Sequence, residues 1–88
     1  MRALLLVVEV LSPSSGSTDR LRKRRLYQRR GVPEYWIVDV DARAVERWRA
    51  KEDVGTVFTD TLVWQPGRGV EPLPIDLGEY FRNVTGEG

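Results

Sequence analysis

The sequence contains no cysteine and no histidine. The first absence excludes a disulfide framework and a thiolate nucleophile. The second excludes the usual zinc sites and a histidine general base, which leaves carboxylate, lysine and tyrosine for acid–base work. Net charge is scarce as well, with 14 basic residues against 13 acidic ones. No apolar run approaches the roughly 20 residues a membrane-spanning helix needs. The longest, Ala3 to Leu11, is interrupted by Glu9. Met1-Arg2 before a short apolar run has the outline of a secretory signal, but Glu9 breaks it and no small-x-small cleavage site follows. The run reads as a strand of a cytoplasmic protein with no membrane partner.

What is present suits one small folded domain. The chain has 88 residues, 41% hydrophobic and 31% charged, near the size where a single core is only just sufficient. Neither an internal repeat nor a linker divides it, so residues 1–88 form one expected domain.

The run from Ala3 to Leu11 does not alternate. That suits a strand covered on both faces, as in the middle of an α/β sheet. A carboxylate costs free energy in such a place unless a cation or hydrogen-bond donors answer it. Lys23, on the helix that follows, is the candidate cation. Ser12 to Thr18 is a loop by its serines, Pro13 and Gly16. A helix from about Asp19 to Arg30 follows, with Ser17 or Thr18 as cap, Arg29 and Arg30 in the last turn and Gly31 as its stop. Its apolar face is thin, limited to Leu21, Leu26 and Tyr27. Asp19, Lys23 and Tyr27 are four apart and share one side.

Glu34 to Val40 is a second strand, rich in aromatic and β-branched residues. Strand, helix and strand form a right-handed crossover with parallel strands. Asp41 to Arg43 turns the chain, Ala44 to Ala50 returns antiparallel, and a further strand at Val54 to Asp60 continues through Thr61 to Trp64 after a bend. Gln65 to Gly69 ends the sheet. Pro72 and Pro74 keep the next segment extended, and Ile75 to Phe81 forms one or two helical turns that dock Leu77, Tyr80 and Phe81.

Half of the 14 basic residues lie between Arg20 and Arg30. Arg20, Arg22, Arg24, Arg25, Arg29 and Arg30 suit a polyanion-binding face. They equally suit a solvated helix whose arginine stems cover apolar surface. The residues alone leave both readings open.

Val7-Val8-Glu9-Val10-Leu11-Ser12-Pro13-Ser14, then Asp19, Lys23 and Tyr27, then Gly31-Val32-Pro33-Glu34-Tyr35-Trp36-Ile37-Val38-Asp39 together resemble the Uma-type restriction endonuclease family of bacteria, within the PD-(D/E)XK nuclease superfamily. The likeness covers Leu6 to Trp48, and Pro74 to Phe81 is similar to the family's closing turn. Several separated motifs in order are more specific than one short pattern. The resemblance implies a restriction-endonuclease-like mixed α/β sheet and a Mg2+-dependent site that cuts phosphodiesters, with DNA as partner. It implies that Glu9 is the acidic metal ligand and that Lys23 is the catalytic lysine, carried on the helix instead of the strand. Ser12, Asp19 and Tyr27 fall on supporting motif positions.

Physical chemistry is compatible with those roles. Magnesium takes hard oxygen ligands, typically one or two carboxylates plus substrate phosphates. A nearby lysine can orient water or offset charge that develops on the phosphoryl group. The bland alternative makes Glu9 and Lys23 a buried ion pair and nothing more.

The departures from the family pattern are also informative. The superfamily's aspartate lies on a strand upstream of the one that bears Glu9, and Leu4-Leu5 stand where the family often has Pro-Asp. The expectation is therefore a fold truncated at the N-terminus, with an incomplete active site and weak or no activity on its own. Three functional readings compete: a metal-dependent endonuclease, a non-catalytic nucleic-acid-binding module, and a self-associating remnant. An apolar strand left without its neighbours should recruit another chain, giving a homo-oligomer or pairing with a missing N-terminal half.

Overall fold

Glu34–Asp39 forms the most deeply buried strand because both of its faces are covered. The computed structural model describes residues 4–11 and 17–86, with the side chains of 17–21 outside that description. Three β-strands and a helix build the first part of the chain: β1 (Leu6–Leu11), α1 (Ser17–Arg29), β2 (Glu34–Asp39) and β3 (Ala44–Arg49). They are followed by β4 (Thr56–Phe58), β5 (Thr61–Trp64), β6 (Leu73–Asp76) and α2 (Leu77–Thr85). The main sheet has the order β1-β2-β3-β4. β1 and β2 are parallel, joined through α1, and the other pairs are antiparallel. The mixed α/β sheet that the sequence implies is the one observed.

Two details differ from expectation. The strand covered on both faces is β2, whose Tyr35, Trp36, Ile37 and Val38 are all buried. β1 lies at the sheet edge, and Val8 and Val10 are about half exposed (49% and 55%). Among the described residues this apolar run, broken by Glu9, therefore has β2 as its one neighbouring strand, in keeping with the expectation of an apolar strand left without its neighbours. The second difference is at Thr61–Trp64. Instead of extending the main sheet, it pairs antiparallel with Leu73–Asp76 in a sheet of its own. Pro74 sits inside that two-stranded sheet, a position open to proline only at an edge. The backbone N–H of Leu77 donates to Asp60 O at 2.8 Å and ties α2 to the bend between β4 and β5.

The main sheet carries an apolar cluster on each face. On one face, Trp36, Val38 and Val45 meet Leu62, Leu77 and Phe81 from β5 and α2. Leu77 and Phe81 are buried as the sequence suggests, whereas Tyr80 stays 36% exposed. The N-terminus of α2 begins where Asp76 accepts a hydrogen bond from the Glu79 N–H at 3.0 Å. On the other face, Tyr35, Ile37 and Trp48 pack with Val7, Leu11 and Tyr27 beneath α1. Among the described residues, no helix is long and apolar enough to cross a membrane.

Candidate active site on the β1–α1 crossover

Strand alternation decides where Glu9 points. Val7, Glu9 and Leu11 share one face of β1, and Val7 and Leu11 pack under α1, so Glu9 lies on the helix side between them. Lys23 meets it there: Lys23 Nζ donates to Glu9 Oε1 at 2.6 Å. The pair is neither deeply buried nor freely solvated, with side-chain exposures of 34% for Lys23 and 30% for Glu9. A charge-assisted bond of this length is strong, yet the pair keeps an approach from water.

The helix is held in place by the residues that flank Lys23. Tyr27 stacks at a tilt against Tyr35, with ring centroids 5.2 Å apart. The Arg24 guanidinium lies over the Trp48 ring, 3.9 Å from its centroid, a cation–π contact that also covers apolar surface. Gln28 Nε2 donates to Arg49 O at 3.0 Å and to Glu52 O at 2.8 Å. These three residues lie close together in α1 and fasten the helix to β2, β3 and the turn after β3. The helix then stops in a Schellman arrangement: Gly31 takes φ 74°, its N–H donates to Gln28 O, and the Val32 N–H donates to Tyr27 O. Only a residue tolerant of the left-handed region suits that position.

Of the residues singled out in the sequence, the structure brings Glu9 and Lys23 together. Tyr27 is a packing residue beside them. Asp19 and Arg20 lie in α1, but their side chains are outside the described residues, as is Ser12 altogether. The six arginines do not form one equivalent face. Arg24 is committed to Trp48, and its Nε is buried without a hydrogen-bond partner. Arg22, Arg25, Arg29 and Arg30 are exposed.

Gln28 and Trp48 went unnoticed in the sequence although both position the site. The one available signal was spacing, since Gln28 follows Arg24 by four residues and so shares its side of the helix. A second charged cluster, Glu34 with Arg49 at 3.5 Å and Arg47 at 3.9 Å, faces the other side of the sheet and does not join Glu9. Among the described residues, no group of three or more acidic, histidine or cysteine side chains could hold a metal ion.

The family described as "Uma2: Putative restriction endonuclease" matches residues 1–75. Among solved structures, the chain resembles the crystal structure of a "putative nuclease belonging to DUF820" from Anabaena variabilis. The TM-score is 0.72 at 19% sequence identity, over 92% of this chain and 45% of the other. That likeness concerns the fold, and this chain spans less than half the length of its neighbour. No curated protein matches the chain.

Proposed function

Because this chain belongs to the Uma2 family, whose description is that of a restriction endonuclease, we propose that its β1–α1 crossover carries part of a Mg2+-dependent site for hydrolysing phosphodiesters in DNA. The observation that carries the reading is the 2.6 Å contact between Lys23 Nζ and Glu9 Oε1 at the helix-covered face of the sheet.

The donor chemistry fits magnesium in kind. Glu9 offers hard carboxylate oxygens, and water and substrate phosphate oxygens would complete the remaining positions. A bound ion of this type lowers the pKa of coordinated water and offsets negative charge on the phosphoryl oxygens. The rest falls to the protein. Glu9 would fix the cation against β1. Lys23, already within hydrogen-bond reach, would turn one N–H toward a phosphate oxygen or the attacking water and stabilise the charge that builds there. Tyr27, Arg24 and Gln28 would hold the helix so that this geometry exists before substrate arrives.

A single carboxylate makes a weak site. Incubated alone with plasmid DNA and Mg2+, the protein should show slow or no cleavage, and any cleavage should stop when the cation is chelated. Rapid cleavage that persists in excess chelator would overturn the metal-dependent reading.

The exposed Arg25, Arg29 and Arg30 favour a second, non-catalytic role in binding nucleic acid. Replacing these three by glutamine should weaken DNA binding equally for all sequences. It should also reduce the slope of log affinity against log salt by about 0.9 for every phosphate that is no longer neutralised. An unchanged slope would make them a solvated face.

A further inference from the structure

The contacts of α1 divide its surface into two sides. Lys23 meets Glu9 of β1, Arg24 lies over Trp48, Tyr27 stacks on Tyr35, and Gln28 bonds to the carbonyls of Arg49 and Glu52. Those positions mark the side that faces the sheet. At about 3.6 residues per turn, Arg22, Arg25 and Arg29 fall together on the opposite side. All three are exposed.

Nothing in the fold accounts for that row. From Arg22 to Arg30 the chain has no acidic residue. Two carboxylates on elements that touch α1 are engaged on the sheet side, Glu9 by Lys23 and Glu52 by the Arg49 N–H. Arg25 and Arg29 have no carboxylate partner among the described residues. Like charges three or four residues apart repel on a helix surface. The negative end of the helix dipole favours a cation at Arg29, but its influence fades within the last turn. Arginine stems can also shield apolar surface, as Arg24 does at Trp48, whereas Arg25 and Arg29 point away from the sheet that would supply it.

We infer that the outward side of α1 binds the phosphodiester backbone of a nucleic acid, at a surface separate from the Glu9–Lys23 pair. The nucleic-acid half deepens the second role proposed above and rests on it; the separation rests on the contacts of α1 alone. A helix with its side chains is about 10–12 Å across, so a phosphate held by Arg25 and Arg29 is out of reach of Lys23. The segment bound there is therefore not the one the pair can touch. Arginine's planar fork grips phosphate oxygens two at a time. The row from Arg22 to Arg29 runs for roughly 10 Å along the helix, a length over which a duplex presents several phosphates. An evenly charged line of that kind fits the row better than the scattered carboxylates of an acidic protein.

Titration of a short fluorescent DNA duplex at several salt concentrations, without Mg2+, tests both halves and stands whatever becomes of the nuclease reading. Arg25→Gln combined with Arg29→Gln should lower the slope of log affinity against log salt by about 1.8, two contacts at about 0.9 each. Arg68→Gln with Arg82→Gln removes the same charge from other exposed positions and should leave the slope unchanged. Lys23→Ala and Glu9→Gln should leave it unchanged too, because neither group meets the bound backbone. A parent protein that does not bind the duplex at low salt would overturn the inference outright. So would a slope that the outward pair does not change, or that the control pair lowers equally. If Lys23→Ala lowers the slope or Glu9→Gln tightens binding, the backbone runs over the pair and the separation fails. Tighter binding of polyglutamate than of the duplex would defeat the nucleic-acid assignment.

Thermal unfolding supplies a readout that a structural role would move the other way. With the like-charge repulsion relieved, the midpoint of the Arg25→Gln, Arg29→Gln variant should hold or rise. The duplex should raise the midpoint of the parent and not that of the variant. A variant midpoint several degrees lower would make the two arginines part of the scaffold and overturn the binding surface.

Discussion

Replacing Trp48 by alanine is expected to destabilise the protein by about 3–5 kcal/mol, the usual cost of deleting a large aromatic side chain from a core. A domain of this size has a total stability of only ~5–15 kcal/mol, so the variant should lose a large part of its margin against unfolding. Trp48 is 9% exposed and packs with Tyr35 and Ile37. Its ring supports Arg24 on one side. Elsewhere the ring passes so near Gly55 that a Cβ there would lie 2.6 Å from it. Its indole N–H donates to the Glu46 carboxylate. Truncation therefore opens a cavity and leaves the Arg24 guanidinium without the ring that faces it.

Because Arg24 is next to Lys23 in α1, the damage should reach the site as well. The helix would lose one of its three fastenings, and Lys23 would no longer be held over Glu9. Thermal denaturation checks the claim: at about 4–8 °C for each kcal/mol, the midpoint should fall by well over 10 °C. Trp48→Phe should recover most of the loss, since it keeps a ring beneath Arg24 and gives up the N–H. A midpoint lowered by only a few degrees in Trp48→Ala would show that α1 is fastened by other contacts.

The dependence on Trp48 explains why parts of the fold were hard to read in the sequence. Apolar periodicity makes β2 plain, because its neighbours bury both faces and every position from Tyr35 to Val38 must be apolar. It does not make α1 plain. The helix has few apolar residues, and it is positioned largely by polar side chains, through Arg24 over a ring and Gln28 bonded to backbone carbonyls. Pattern rules that look for an apolar stripe have no term for such contacts. The β5–β6 pair was obscured for a related reason. Pro74 argues locally against a central strand, yet an edge position needs no N–H there, and Leu62 opposite Ile75 supplies the apolar contact.

The Glu9–Lys23 pair was legible from a different kind of argument. A carboxylate within an apolar strand demands a partner, and a lysine on the crossover helix is near enough by topology to be it. That inference reaches the contact but not its surroundings. The side chains of Asp19 and Arg20 and the whole of Ser12 lie outside the described residues, and their motif positions remain statements about sequence. The bland alternative, a buried ion pair, does not describe the contact, since both side chains are about one-third exposed.

That exposure sets up a clean separation between stability and function. Glu9→Gln and Lys23→Ala should each change stability by no more than about 1 kcal/mol, since solvent-accessible ion pairs contribute little and their leftover charge stays hydrated. A deeply buried pair would behave otherwise, losing roughly 3–5 kcal/mol when one partner is removed. Any Mg2+-dependent DNA cleavage, in contrast, should fall steeply. Losing a donor that stabilises developing charge typically costs about 10²–10³ in rate, and loss of the carboxylate should also abolish the cation's effect on cleavage.

The two variants should differ in their cation titrations. Lys23→Ala keeps Glu9 and should retain Mg2+ binding while turnover drops, whereas Glu9→Gln should lose both. Chemical denaturation and a cleavage assay on the same preparations decide between the roles. If stability falls by several kcal/mol and cleavage follows it in proportion, the pair is a structural clasp. If both variants fold normally and Glu9→Gln still cleaves in a Mg2+-dependent way, the metal ligand lies elsewhere in the chain.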